Sequence, residues 1–177
     1  MSSIGPYSPT TVVSAAPGDV AWSTPSNAAS SNNSYATVTL SGAANLSEYL
    51  KATDFGFNIP SGATIDGIVV EVEKKYDTYT VQDVVVKIVK GGSLTGTNKA
   101  IAGDWSSTES YVTYGSSTEL WGTTWSYGDI NSSNFGVALS CEGTQGFPPG
   151  AGIANVDHIR ITVYYTGGGS SNQGIMF

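Results

Sequence analysis

Apolar and polar residues alternate along most of this chain at a period of two, in runs bounded by Gly, Asn, Ser and Pro. That period places successive side chains on opposite faces of a strand. The clearest run is 68–73, where Ile68, Val70 and Val72 point one way while Val69, Glu71 and Glu73 point the other. It predicts a strand with one dry face and one wet face. Val84, Val86 and Ile88 repeat the pattern beside Asp83 and Lys87, ahead of a turn at Gly91-Gly92. Phe135, Val137, Leu139 and Cys141 alternate again, and so does 154–166, with Ile159, Ile161, Val163 and Tyr165 on the dry side and His158, Arg160 and Thr162 opposite. Residues 35–40 and 49–59 read as two further strands, the second carrying Phe55, Phe57 and Ile59 on one face. In the less regular stretch 93–133, Tyr111, Val112 and Tyr114 predict one short strand. Ser126, with Asp129 three residues on, predicts a single capped helical turn.

About seven or eight strands at spacings near ten residues point to an all-β domain, a sandwich or a barrel. Uneven spacing and long loops favour a jelly-roll-like antiparallel β-sandwich over residues 35–166. Residues 1–34 read as an extended N-terminal arm, broken by Pro6, Pro9, Pro17 and Pro25 and by a Ser/Asn/Ala run. Short strand candidates lie within it at 10–13 and 20–22. An arm that keeps a Trp is expected to lie on a surface, so Val12, Val13 and Trp22 are candidate partner-binding residues. Residues 167–177 read as a flexible Gly/Ser tail ending in Ile175, Met176 and Phe177, an apolar tip suited to a groove on a neighbouring subunit.

Composition narrows the partners. Charged residues are 12% of the chain, against about 25% in ordinary soluble domains. The net charge is −7, and the densest basic stretch is Lys74-Lys75. Phosphate recognition needs clustered Lys and Arg, so neither nucleic acid nor an anionic membrane is an expected partner. The N-terminus lacks the basic-then-apolar pattern of a signal peptide, and no apolar run approaches the ~20 residues a spanning helix needs. Synthesis in a cytoplasm is the expectation.

Candidate chemistry is sparse. One cysteine, Cys141, reads as a small buried apolar side chain. The single histidine, His158, reads as a solvated or interface residue on a strand's polar face. Glu71 and Glu73 share a face, as the acids of a glycosidase would, but strand alternation with Lys74 and Lys75 adjoining already accounts for them as a wet face. Asp129, Asn131 and Asn134 offer oxygen ligands, yet a capped turn explains them better than a calcium loop. No cofactor or metal is expected, and no enzymatic activity. The aromatic residues Trp105, Tyr111, Tyr114, Trp121 and Trp125 fall close together. Exposed, they would make a sugar-stacking platform; otherwise they plug the sandwich or line a subunit contact.

Four phrases carry a resemblance: IPSGATIDGI at 59–68, LWGTTW at 120–125, DINSSNFGVAL at 129–139 and VDHIRITVYY at 156–165. Over about 35–166 the chain resembles a β-sandwich domain of tailed-bacteriophage virion structural proteins. The resemblance implies a virion location and the role of a capsid decoration (cement) protein or a tail or fibre part. Expected partners are the major capsid protein or other virion proteins, bound by a homotrimer. The alternative expectation is a carbohydrate-binding module or a receptor-binding fibre part that uses the aromatic platform.

Overall fold

The computed structural model describes residues 1–41, 45–144 and 150–168. They form two antiparallel sheets packed face to face, the β-sandwich that the alternation predicts. The strands in chain order are β1 (Ser2–Tyr7), β2 (Thr11–Ala15), β3 (Ala36–Leu40), β4 (Tyr49–Thr53), β5 (Ala63–Thr78), β6 (Val81–Lys90), β7 (Ser93–Thr95), β8 (Ser110–Ser116), β9 (Gly136–Gly143) and β10 (Gly152–Gly167). A 3-10 turn occupies Pro25–Ala28, and one helical turn, α1, occupies Tyr127–Ile130.

The first sheet runs β1-β10-β5-β8, with β3 also on β10. Strand β10 is long enough to take two partners along one edge: β3 pairs with Gly152–Val156 and β1 with Ile161–Tyr165. The second sheet runs β2-β4-β9-β6-β7. The dry faces deduced from alternation are the ones that meet. Ile68, Val70 and Val72 of β5 and Ile159, Ile161 and Val163 of β10 are fully buried. They pack in one cluster with Leu50 of β4, Val86 and Ile88 of β6, and Val137 and Leu139 of β9. Burying each such side chain contributes about 1.5–3 kcal/mol. The capping box expected at the helical turn is present, with Ser126 and Asp129 exchanging bonds around α1.

Residues 1–34 are not an arm outside the body. Strand β1 pairs with β10 and β2 pairs with β4, so the N-terminus supplies an edge to each sheet. The turn at Pro25–Ala28 then covers the start of β10, and Ser23 and Thr37 exchange backbone hydrogen bonds. The expectation failed for a physical reason. An edge strand paired on one side and mostly exposed, as β1 is, needs no alternating pattern. Pro6 sits at an irregularity between Ile4 and Tyr7, where it breaks no ladder. Gly5 is required there: its φ is +112°, and a Cβ would lie 2.6 Å from the Ile161 carbonyl oxygen.

Other boundaries moved as well. The strand expected over 49–59 stops at Thr53, because Asp54 and Gly56 take left-handed backbone conformations with φ of 60° and 69°. Residues 20–22 form only an isolated parallel bridge from Val20 to Ser47. The apolar tip Ile175, Met176 and Phe177 lies outside the described residues.

Candidate functional site

The five aromatic side chains do not form one exposed row. Trp121 is fully buried, held in a left-handed conformation by its own backbone N–H donating to Glu119 and its indole N–H donating to the Ile68 carbonyl at 2.9 Å. Tyr114 and Trp105 are buried at the corner where β5 turns into β6. The remaining two are half-buried and differently engaged. Tyr111 lies beneath the Arg160 guanidinium, 3.8 Å from ring centre to Cζ. Trp125 sits edge-on to Phe135 at 5.4 Å, with its N–H donating to the Leu120 carbonyl. Three rings are therefore core, and two are tied into local pairs.

At the β5–β6 corner lies a feature that the alternation had hidden in plain view. Lys74 shares the parity of Ile68, Val70 and Val72, and its side chain follows them inward, where it is 3% exposed. The expectation that Lys74 keeps a face wet is corrected; parity was the signal. Its Nζ donates to Asp83 Oδ1 at 2.6 Å and to the Tyr114 hydroxyl, and it lies 4.1 Å from the centre of the Trp105 ring. Asp83 accepts further bonds from Trp105 Nε1 on Oδ1, and from the Tyr114 hydroxyl and Ile101 N–H on Oδ2. Burial pushes the Lys74 ammonium below its ordinary range, partly opposed by the Asp83 charge. Burial, followed by the same charge, pushes the Tyr114 phenol up. A cavity of about 110 Å³ opens beside the cluster, walled by Lys74, Asp83, Trp105, Val112 and the 101–104 loop.

On the outer face of the first sheet, His158 is only 8% exposed, so of the two expected settings, solvated or interface, the solvated one does not hold. The N-terminal segment covers it. One ring nitrogen faces the Ser8 hydroxyl and the other the Tyr111 hydroxyl, each at 2.8 Å, and burial lowers its pKa. Glu71 grips Arg160 through two bonds of 2.9 and 3.0 Å, so it is committed to a cross-strand ion pair. Glu73 instead gathers with Glu109 and Asp157, their carboxylate oxygens within 4.8 Å of one another. Asp157 accepts from the Asn32 N–H, while one oxygen each of Glu73 and Glu109 is buried without a hydrogen-bond partner. Three carboxylates supply about half of the 6–8 oxygens that calcium takes.

The remaining polar candidates hold structure. Asp129 caps α1 and receives Lys90 at 3.2 Å. Asn131 mimics a strand partner for Ile59, accepting its N–H at 2.7 Å and donating to its carbonyl at 2.9 Å. Cys141 is fully buried against Ser47, and desolvation pushes its thiol up to about 12.

Of the N-terminal candidates, Val12 and Trp22 are core residues, and the Trp22 indole donates to the Glu48 carbonyl. Val13, on the opposite face of β2, is 42% exposed. With Met1 at 67% and Tyr7 at 38%, it gives the N-terminal edges of the two sheets three large exposed apolar side chains. Ile101, 48% exposed, stands on the loop beside β6 and β8, towards the opposite edge of the first sheet. No protein-family model, curated protein or solved structure matches this chain. No helix among the described residues is long and apolar enough to cross a membrane.

Proposed function

We propose that this chain is a non-enzymatic structural protein of a virion, a capsid decoration protein that sits as a homotrimer on the major capsid lattice. The observation that carries the reading is the N-terminal edge. Among the described residues strand β1 is paired only with β10, which leaves its outer N–H and C=O groups open. Met1 and Tyr7 are exposed at this edge, while Val13 is exposed on β2 at the edge of the other sheet. An open edge with apolar side chains is a template for pairing with another chain unless something covers it. The occupant is a second copy of this chain. The exposed Ile101 stands towards the other side of the first sheet, and contact between two different patches is heterologous, which gives a ring such as a trimer where the rotation between copies closes.

Three supports accompany this. The four phrases at 59–68, 120–125, 129–139 and 156–165 resemble a phage virion domain. The strand orders β1-β10-β5-β8 and β2-β4-β9-β6-β7 support a jelly-roll reading in which β3 and β4 are additions. The single histidine and the single cysteine are held in structural roles, His158 between two hydroxyls and Cys141 in the core.

Sedimentation velocity of the full chain tests the proposal. A trimer is expected, and Tyr7→Ser combined with Val13→Glu is expected to return it to monomer while the fold survives. A wild-type chain that stays monomeric over the whole concentration range would overturn the assembly.

A further inference from the structure

The ion pair at the β5–β6 corner differs from the others in the described residues. Lys74 and Asp83 have side chains 3% and 2% exposed, whereas both partners of every other pair are more than a fifth exposed. We propose that Lys74 and Asp83 condense into an intramolecular isopeptide bond, an amide between Nζ of Lys74 and Cγ of Asp83, with release of one water.

The hydrogen bonds around the pair supply each step. Nζ donates to the Tyr114 hydroxyl, and that hydroxyl donates to Asp83 Oδ2 at 2.8 Å. A shift along these two bonds carries one proton from the ammonium to Oδ2 and leaves Tyr114 as it began. Lys74 becomes a free amine and Asp83 a neutral acid, the forms that a desolvated site favours over a separated pair of charges. The amine nitrogen is already 2.6 Å from Oδ1, so its lone pair needs only a small rotation to attack Cγ. Negative charge then develops on Oδ1, where the Trp105 indole N–H donates at 2.8 Å, as an oxyanion-hole donor does. The nitrogen next loses a second proton through Tyr114 to the Oδ2 hydroxyl, and the C–Oδ2 bond breaks. Oδ2 leaves as water into the cavity that Lys74 and Asp83 both line. Nothing is oxidised or reduced, and no co-reactant is needed.

Amide formation from a separate acid and amine is unfavourable in water. Two groups held in near-attack geometry react with an effective molarity of about 10⁵–10⁸ M, which lowers the barrier. The desolvation cost of the buried ion pair raises the free energy of the starting state relative to the neutral amide. The event is a single turnover on the chain itself, so it sits beside a non-enzymatic role without contradiction. It would convert a buried ion pair into a covalent tie between the two sheets at their shared corner.

Intact-mass measurement of the full, denatured chain reads the result directly. The expected mass is one water below that of the sequence, with a linked peptide pair surviving cleavage between the two residues, at Lys75 or Tyr79. Lys74→Arg, which keeps the charge and lacks the reactive amine, is expected at full mass. Tyr114→Phe removes the relay and is expected to slow formation by about 10²–10⁴-fold. A folded, aged wild-type chain at full sequence mass would overturn the proposal. So would a water lost elsewhere, as in a succinimide at Asp66-Gly67, which hydroxylamine cleaves and an isopeptide resists. A Tyr114→Phe chain that links at the wild-type rate would overturn the relay.

Discussion

Replacing Trp22 by alanine distinguishes an N-terminal segment that belongs to the body from one that hangs off it. The indole is 4% exposed, packs in the core cluster and donates its N–H to the Glu48 carbonyl at 2.8 Å. Truncating a buried Trp to Ala costs about 3–5 kcal/mol, from lost burial and the cavity left behind. For a chain of this length each kcal/mol moves the unfolding midpoint by about 2–4 °C, so the midpoint falls by roughly 6–20 °C. Trp22→Phe keeps much of the ring but strands the Glu48 carbonyl, at a cost of about 1–3 kcal/mol. Differential scanning calorimetry on the two variants and the parent gives the midpoints. A solvent-facing arm residue would cost within about 0.5 kcal/mol. Both variants melting within about 2 °C of the parent would therefore refute the placement of this segment in the core.

Three further outcomes follow from the side chains that the fold has enclosed. Burial lowers the His158 pKa below the ordinary value of about 6.5 carried by the unfolded chain, so the unfolded state binds more protons between the two values. Stability is then full above about pH 7 and falls as the pH drops through 6.5, by at most about 1.4 kcal/mol per pH unit. His158→Gln should flatten that slope in urea titrations, and an unchanged slope contradicts the assignment. Cys141, with its thiol pushed up to about 12 and no exposure, should stay unreacted with a water-soluble disulfide reagent until the chain unfolds; prompt labelling of the native protein would contradict this. Asn131→Ala removes both bonds to Ile59 and should destabilise by about 1–3 kcal/mol by chemical denaturation; a change under 0.5 kcal/mol would show that water replaces them.

Strands β5, β6 and β10 were legible because each has one face against the core and one that is wetter, which prints a period of two into the sequence. Strand β9 is buried on both faces, and its period comes from large Val137 and Leu139 alternating with small Ala138 and Ser140. Strand β1 was not, because an exposed edge has no dry face to conserve a pattern. Asp54 and Gly56 ended β4 early through backbone conformation, and hydropathy carries no trace of that. Of the polar cluster, Lys74 was readable from parity with Val70 and Val72. Asp83, Trp105 and Tyr114 were not, since they come from three separate segments that meet only after the sheets close. His158 looked solvated because its strand face is polar; the N-terminal segment that covers it comes from 150 residues away at Ser8.

The most direct measurement for the assembly account is a quantitative mass-spectrometric census of purified virus particles from the source of this sequence. The account predicts this chain in fixed stoichiometry to the major capsid protein, released together with it when the shells are dismantled. A chain abundant in the lysate and missing from the particles would contradict it.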